Sequence, residues 1–254
     1  MKSVSIVTVS FDTLFFARLL VEKVREFIGP REYEIIVVDR GSTDGTLEWC
    51  ARQNDVRVVS FPQTQAQHRH AEAATAGIRS ARGEVIALLD SDAHPIAPDW
   101  LGRTADRLDE RCQLAGARYQ ANHRGNPFGW YVHPHFMVFA RADFGDAIVL
   151  EKLRGATTDV GEEATIRVLE RGREVLAWPL QSCGELPADH PYALFSFGHP
   201  HFPTIGAGVF HAWYGTRLQK DVATVAQETD SAISPLNYRQ PLIAALRDFY
   251  QLDY

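Results

Sequence analysis

The chain has 254 residues, of which 45% are hydrophobic and 23% are charged, proportions that are ordinary for a globular protein. Its formal net charge of −6 at pH 7 argues against a general binder of the nucleic-acid backbone, because such proteins are normally basic; no nucleic-acid partner is expected. Three widely spaced cysteines without a CxxC pair predict neither a disulfide framework nor a structural zinc site.

The N-terminus and the apolar runs of the chain predict a cytoplasmic location. Residue 4 already begins a strand-like run, and the layout of a signal peptide is absent. No apolar stretch has the length needed to cross a bilayer. Peripheral membrane contact and a homodimer both stay open.

Strands alternate with helices in the first half of the chain. Buried-type apolar runs and β-branched runs predict the strands, and apolar residues at helical spacing predict the helices. The strands are expected at Val4–Phe11, Glu34–Val38, Val56–Phe61 and Val85–Leu89, and the helices over residues 14–28, 47–51, 69–82 and from Pro98 onward. This alternation predicts a doubly wound, mostly parallel α/β sheet.

The second half has a less regular pattern. Residues 122–135 are rich in Gly, Pro, His and aromatic residues and carry no clear strand or helix signal. Further strands are expected at Gln113–Gln120, Phe136–Ala140, Glu174–Trp178 and Val209–Trp213, with helices over residues 159–171 and in the tail from residue 218. One compact domain with a C-terminal appendage is the simplest division.

Two carboxylates follow the most continuous apolar run. Asp90 and Asp92 are two residues apart at the carboxyl end of the fourth predicted strand, so their side chains share one side. Open α/β sheets bind ligands at that end. Two close carboxylates repel, and Mg²⁺ or Mn²⁺ would supply the counter-charge through oxygen ligands. The alternative is a pair of exposed loop acids.

Four segments in order resemble the GT-A glycosyltransferases of family 2, which use sugar nucleotides. They are Ser5–Phe11, Ile35–Thr46, Ala76–Glu84 and Leu88–Asp92. The resemblance covers residues 3–110 and continues more weakly to residue 217. It implies a GT-A domain over residues 1–217, with a nucleotide-sugar-binding half (1–110) and an acceptor-side half (111–217), and a helical extension over residues 218–254.

The resemblance also implies roles for single residues. Phe11 would flank the nucleobase, Asp39 would accept a hydrogen bond from a pyrimidine N–H, and Arg217 would hold the diphosphate. The metal ligands would be Asp90, Asp92 and His211. The nucleotide-binding set would be Ser10, Phe11, Asp39, Asp90, Ser91 and Arg217. Asp39 could instead be only a turn residue, His211 only structural, and Arg217 only a surface side chain.

An acid at the start of the helix over residues 159–171 would be the general base that such a family implies. Three candidates stand there, and we order them Glu162, Glu163 and Asp159. Carboxylates at a helix N-terminus are also routine dipole partners, so the choice stays open. Four aromatic or imidazole side chains could line the acceptor site or belong to a packed hairpin. They are Trp130, Tyr131, His133 and His135.

The implied activity is inverting transfer of a sugar from a UDP- or dTDP-sugar to the hydroxyl of a glycan or small molecule, as in polysaccharide biosynthesis. The chain departs from the family pattern at Arg40, where a second acid is common, and at Thr75, where an Asn is common. A non-catalytic binding module on the same fold is therefore an alternative. A nucleotidyltransferase is a further alternative, although its Gly-rich, Lys-containing loop after the first strand is absent.

Overall fold

The computed structural model describes residues 1–61, 70–121, 123–151, 159–196, 203–213 and 235–254. The strands are β1 (Val4–Ser10), β2 (Tyr33–Asp39), β3 (Val56–Ser60), β4 (Val85–Asp90), β5 (Ala93–Pro95), β6 (Cys112–Gln120), β7 (Trp130–Ala140), β8 (Glu174–Pro179), β9 (Gln181–Ser182), β10 (Thr204–Gly206) and β11 (Val209–His211). The helices are α1 (Leu14–Phe27), α2 (Thr46–Ala51), α3 (His70–Ser80), α4 (Trp100–Arg103), α5 (Glu162–Glu170) and α6 (Pro235–Tyr250).

The large sheet has seven strands in the order β3-β2-β1-β4-β7-β6-β8. β1 pairs in parallel with β2 and β4, β2 with β3, and β6 with β8, whereas β7 runs antiparallel to both of its neighbours. This confirms the predicted mostly parallel α/β sheet. The carboxyl ends of β1, β2 and β4 meet at one edge, where Asp39 and Asp90 stand at the last positions of their strands.

Helices cover both faces of the sheet, and the side chains of β1 show why. All seven residues of β1 are buried. Ile6 belongs to the core that includes Leu20 of α1, and Val7 belongs to the core that includes Ile78 of α3. Because successive strand residues point to opposite faces, a strand buried on both faces carries apolar residues on each of them. β1 does so with Ile6 and Val7, and the polar residues that accompany them are small, namely Ser5, Thr8 and Ser10.

A small antiparallel sheet, in the order β5-β11-β10-β9, lies beside the metal-ligand candidates. Sequence reasoning missed β5, β9 and β10, because strands of two or three residues are too short for an alternating pattern to register. It also took residues 122–135 as irregular, whereas β7 already begins at Trp130. A register shift between Gly116 and Arg118 of β6 accompanies Pro134 of β7, which has no N–H to donate to the ladder.

The C-terminal helix α6 packs on the outside of α1 and the small sheet, which confirms a helical tail in the described residues 235–254. A third apolar cluster joins these elements. It contains Phe16, Leu19, Cys183, Phe195, Phe210, Ala212, Leu242, Ile243 and Leu246. None of the helices in the described ranges combines the length and the apolar character that a membrane span requires.

Gly77→Ala should destabilise the fold, because α3 lies so close to the sheet. A Cβ at Gly77 would lie 2.6 Å from Cγ2 of Val38 and 2.7 Å from Cγ1 of Val7. Overpacking of this kind costs about 1–3 kcal/mol, measurable as the free energy of unfolding in urea. Gly102→Ala is the matched control. Its Cβ would meet no atom closer than 3.9 Å, so a neutral or slightly stabilising effect is expected. Equal effects of both changes would contradict the steric explanation.

Candidate metal and nucleotide site

Asp90, Asp92 and His211 come together at the carboxyl end of β4. One potential ligand atom of each lies within 4.8 Å of the others. The Nε2 atom of His211 lies 3.3 Å from Oδ1 of Asp92 and 3.6 Å from Oδ2 of Asp90. Asp92 and His211 are each 3% exposed. The three predicted metal ligands thus form one cluster, in which two members are buried.

Backbone pairing between distant parts of the chain builds this cluster. β4 ends at Asp90, and β5 begins at Ala93, directly after Asp92. Ala93 pairs with His211 of β11, and the main-chain N–H of Ala212 donates to the carbonyl of Asp92 at 3.0 Å. The small sheet therefore fixes a histidine more than a hundred positions away against the acid pair.

The donor set fits a divalent cation such as Mn²⁺ or Mg²⁺. Two carboxylates and an imidazole offer hard oxygen ligands and one nitrogen, a combination that Mn²⁺ accepts. Holding the buried Asp92 beside Asp90 is costly without a positive partner. Among the described residues, Nδ1 of His211 is buried and has no hydrogen-bond partner. Nε2 of His70 lies 3.6 Å from Oδ1 of Asp90, whereas Nε2 of His211 is near its Oδ2.

Asp39 stands at the same sheet edge, at the end of β2, and is 2% exposed. Its Oδ2 accepts hydrogen bonds from the N–H groups of Gly41 at 2.9 Å and Ser42 at 3.2 Å. Its Oδ1 is buried and has no hydrogen-bond partner in the described part of the chain. One oxygen therefore fixes the turn, as the structural alternative requires, and the unsatisfied second oxygen makes Asp39 a candidate ligand-binding group.

The remaining nucleotide candidates differ in their surroundings. Ser10 is fully buried, and its hydroxyl lies 2.6 Å from that of Thr13, so it shapes the loop after β1. Phe11 follows it and is partly buried. The hydroxyl of Ser91 is buried and without a partner among the described residues. Arg217 lies outside the described residues, so its expected contact with the diphosphate stays a prediction.

The three base candidates at the start of α5 differ in burial. Glu162 is fully buried; its Oε1 accepts from Nδ2 of Asn126 at 2.9 Å, and its Oε2 lies 2.9 Å from Nδ1 of His123 and accepts from the N–H of Asp159. Glu163 is 4% exposed, and its Oε1 lies 3.2 Å from Nε of Arg167. Only Asp159 of the three is partly exposed.

A cluster of rings connects the metal ligands to Asp159. His135 stacks on His211, with ring centroids 4.2 Å apart and an angle of 10° between the ring planes. The ring centroid of Trp213 lies 4.5 Å from that of His211. Burial lowers the pKa of His135 well below the ordinary histidine value, with contributions from His211 and His133. The hydroxyl of Tyr131 lies 3.4 Å from Oδ2 of Asp159.

Two of the four expected acceptor-lining side chains, Tyr131 and His135, are buried at 0% and 1% exposure, whereas Trp130 and His133 are partly exposed. Sequence reasoning did not select Trp213, which has a φ of +53° and donates from Nε1 to the hydroxyl of Thr204 at 2.9 Å. Its position two residues after His211 was the available signal. A left-handed φ in a bulky residue is strained and is found most often at functional sites.

Residues 5–168 match the model of the family described as glycosyl transferase family 2. The chain belongs to this family of enzymes. One relative is an uncharacterized protein, y4gI, of Sinorhizobium fredii (strain NBRC 101917 / NGR234), with 34% identity over 100 residues. Those residues are 39% of this chain and 11% of the relative, so this family 2 chain corresponds to a small part of that protein's length.

Solved structures share the fold of this family 2 chain. One is the mannosyltransferase PcManGT of Pyrobaculum calidifontis in complex with GDP-Man and Mn²⁺, with 20% identity over 97% of this chain and 69% of that one, and a TM-score of 0.51. Another is the glucosyl-3-phosphoglycerate synthase of Mycobacterium tuberculosis in complex with Mn²⁺, UDP and phosphoglyceric acid. Its identity is 16% over 70% of this chain and 68% of that one, and the TM-score is 0.52. Both likenesses show the GT-A fold.

Proposed function

We propose that the chain is an inverting glycosyltransferase that moves a sugar from a UDP- or dTDP-sugar to a hydroxyl group of a glycan or small molecule. The observation that carries the proposal is the cluster of Asp90, Asp92 and His211 at the sheet edge that also holds Asp39. Two structures of the same fold, bound to GDP-Man or UDP with Mn²⁺, support the coarser part of the proposal, a sugar-nucleotide donor with a divalent metal.

The donor would lie across this edge, with its diphosphate toward the metal ligands. Asp90, Asp92 and His211 would hold Mn²⁺ or Mg²⁺, whose positive charge offsets the charge that grows on the leaving nucleoside diphosphate. Asp39 would accept the pyrimidine N–H through Oδ1, its oxygen without a partner among the described residues. Phe11 would flank the base, and Arg217 would contact the diphosphate.

Asp159 is our proposed general base. It would take the proton of the acceptor hydroxyl, whose oxygen then bonds to the anomeric carbon from the face opposite the breaking bond to the diphosphate. Of the three acids at the start of α5 it is the one with exposed surface, and a base must reach its substrate. Glu162 is enclosed by donors and Glu163 is paired with Arg167, so we assign them supporting roles.

A thermal-shift screen of UDP, dTDP and GDP, each with and without Mn²⁺, tests the donor site. A ligand at 100 times its Kd stabilises the native state by about 2.7 kcal/mol, which should raise the Tm by roughly 5–10 °C. We expect the largest shift with UDP or dTDP plus Mn²⁺, and a reduced shift in an Asp39→Asn variant. No shift with any nucleotide would contradict the proposed donor site. A shift with GDP alone would contradict the proposal that the donor carries a pyrimidine base.

A non-catalytic binding module is the second candidate, and Arg40 is the observation that favours it. This residue replaces a common acid, burial lowers the pKa of its guanidinium, and its Nε is buried without a hydrogen-bond partner in the described residues. Calorimetry with UDP, followed by assays of sugar transfer and donor hydrolysis, separates the two. Tight binding without turnover over a broad acceptor panel would favour the module.

A further inference from the structure

The C-terminal helix reaches the strand that follows the metal ligands. His94 lies on β5, two residues after Asp92, and is 2% exposed. Its Nε2 lies 2.9 Å from the hydroxyl oxygen of Tyr250, the last residue of α6. The two rings also meet edge to face, with centroids 5.5 Å apart. A hydrogen bond therefore joins the end of α6 to the strand beside the metal site.

Tyr250 is itself held from several sides. Its hydroxyl lies 2.8 Å from that of Tyr192, and Nζ of Lys23 lies 4.1 Å from its ring centroid. Burial raises the pKa of Tyr250 above the ordinary tyrosine value, so the hydroxyl stays neutral and keeps its proton. The apolar face of α6 packs on α1 and β11 through the third cluster. The hydroxyl of Tyr250 therefore has a fixed position, and its hydrogen bond to His94 can hold β5 in place.

His94 is linked to both buried metal ligands. It lies on β5, which begins directly after Asp92, and across the small sheet it pairs with Phe210. The rings of His94 and Phe210 have centroids 5.1 Å apart, and Phe210 directly precedes His211. A change in the position of His94 would therefore move Asp92 and His211 relative to Asp90 on β4.

The same helix also contacts the loop after β1. Nη2 of Arg239 donates to the main-chain oxygen of Asp12 at 3.2 Å. Asp12 has a φ of +51° and belongs to the loop that contains Phe11. Because α6 contacts both this loop and β5, its placement is coupled to the nucleotide side and to the metal side of the crevice.

We propose that Tyr250 is a positioning residue of the metal site: its hydrogen bond to His94 holds β5, and with it Asp92, in the arrangement that binds the cation. The inference rests on the proposed function, since it assumes that Asp90, Asp92 and His211 bind a metal. Groups bonded directly to a metal ligand typically contribute 10–100-fold in affinity. Tyr250 acts through His94, so we expect a smaller contribution of roughly three- to tenfold.

The experiment measures Mn²⁺ binding by the full chain, from the electron paramagnetic resonance signal of free Mn²⁺. Tyr250→Phe removes the hydroxyl and should raise the Kd for Mn²⁺ roughly three- to tenfold. Tyr192→Phe is the matched control, because it removes the other hydrogen bond of Tyr250 and leaves the bond to His94. Its Kd should stay within about twofold of wild type, as for an independent site.

His94→Phe removes the same bond from its other end and should weaken Mn²⁺ binding to the same extent. The double variant of Tyr250→Phe and His94→Phe should bind no more weakly than either single variant, because both changes delete one shared interaction. His94→Phe also carries the test if Tyr250→Phe does not fold. The Tm of each variant is measured in parallel.

A merely structural role predicts a different result. Tyr250→Phe would then lose two buried hydrogen bonds and Tyr192→Phe one, so both variants would lower the Tm, the first by more, without changing the Kd for Mn²⁺. An unchanged Kd in Tyr250→Phe, or equal weakening in Tyr192→Phe, overturns the inference while the proposed function stands. No Mn²⁺ binding by the wild type would instead overturn the metal site of the proposed function, and this inference with it.

Discussion

Asp92→Asn should lower the rate of Mn²⁺-dependent sugar transfer about 100- to 1,000-fold. A metal ion at such a site supplies several kcal/mol of stabilisation to the charge on the leaving group, and each 1.36 kcal/mol corresponds to a tenfold change in rate. Asp92 is 3% exposed and lies 3.3 Å from Nε2 of His211, so its amide cannot replace the lost charge. Initial rates over a range of Mn²⁺ concentrations measure the effect.

The same variant should not be less stable than wild type when no metal is added. Two neighbouring carboxylates repel each other, and the change removes one of them, so the free energy of unfolding in EDTA should stay equal or rise. Asp189→Asn, at an exposed position, is the matched control and should retain full activity. Full activity of Asp92→Asn with Mn²⁺ would remove this residue from the metal site.

Asp159→Asn should reduce kcat roughly 100- to 10,000-fold, the range typical of a lost general base. The thermal shift caused by UDP and Mn²⁺ should stay as in wild type, since Asp159 lies just before α5 and is not one of the residues proposed to bind the nucleotide or the metal. Glu163, four residues further along the chain, is paired with Arg167, and Glu163→Gln should leave kcat within about tenfold of wild type.

Glu162→Gln tests the proposed supporting role of Glu162, which is to hold Asp159 in place. This fully buried carboxylate receives hydrogen bonds from Asn126 and from the N–H of Asp159, and an amide at the same place would turn a donor toward other donors. We expect a loss of stability of about 1–3 kcal/mol, together with a lower kcat because Asp159 is displaced. If Glu163→Gln lost the most activity while folding normally, Glu163 would be the base.

The sequence by itself determined the α/β class and the acids at the strand ends. Unbroken apolar runs such as that of β4 suit strands buried on both faces of a sheet, and alternation with helices favours a parallel sheet. Parallel strands bring their carboxyl ends to one edge, which places Asp39 and Asp90 there. Strand spacing also predicted Asp92 beside Asp90, although β4 ends at Asp90 and Asp92 lies in the turn after it; the resemblance supplied His211.

The tertiary structure decided what depends on long-range pairing. β5, β9 and β10 are too short to carry a local pattern, and only their pairing with each other and with β11 brings His211 to Asp92. The burial of Glu162 and Glu163, against the partial exposure of Asp159, depends on what α5 packs upon, which neighbouring residues do not encode. The hydrogen bond from Tyr250 to His94 joins positions 156 residues apart. Such contacts form only when the whole core fixes both partners, so no reading of local periodicity could have found them.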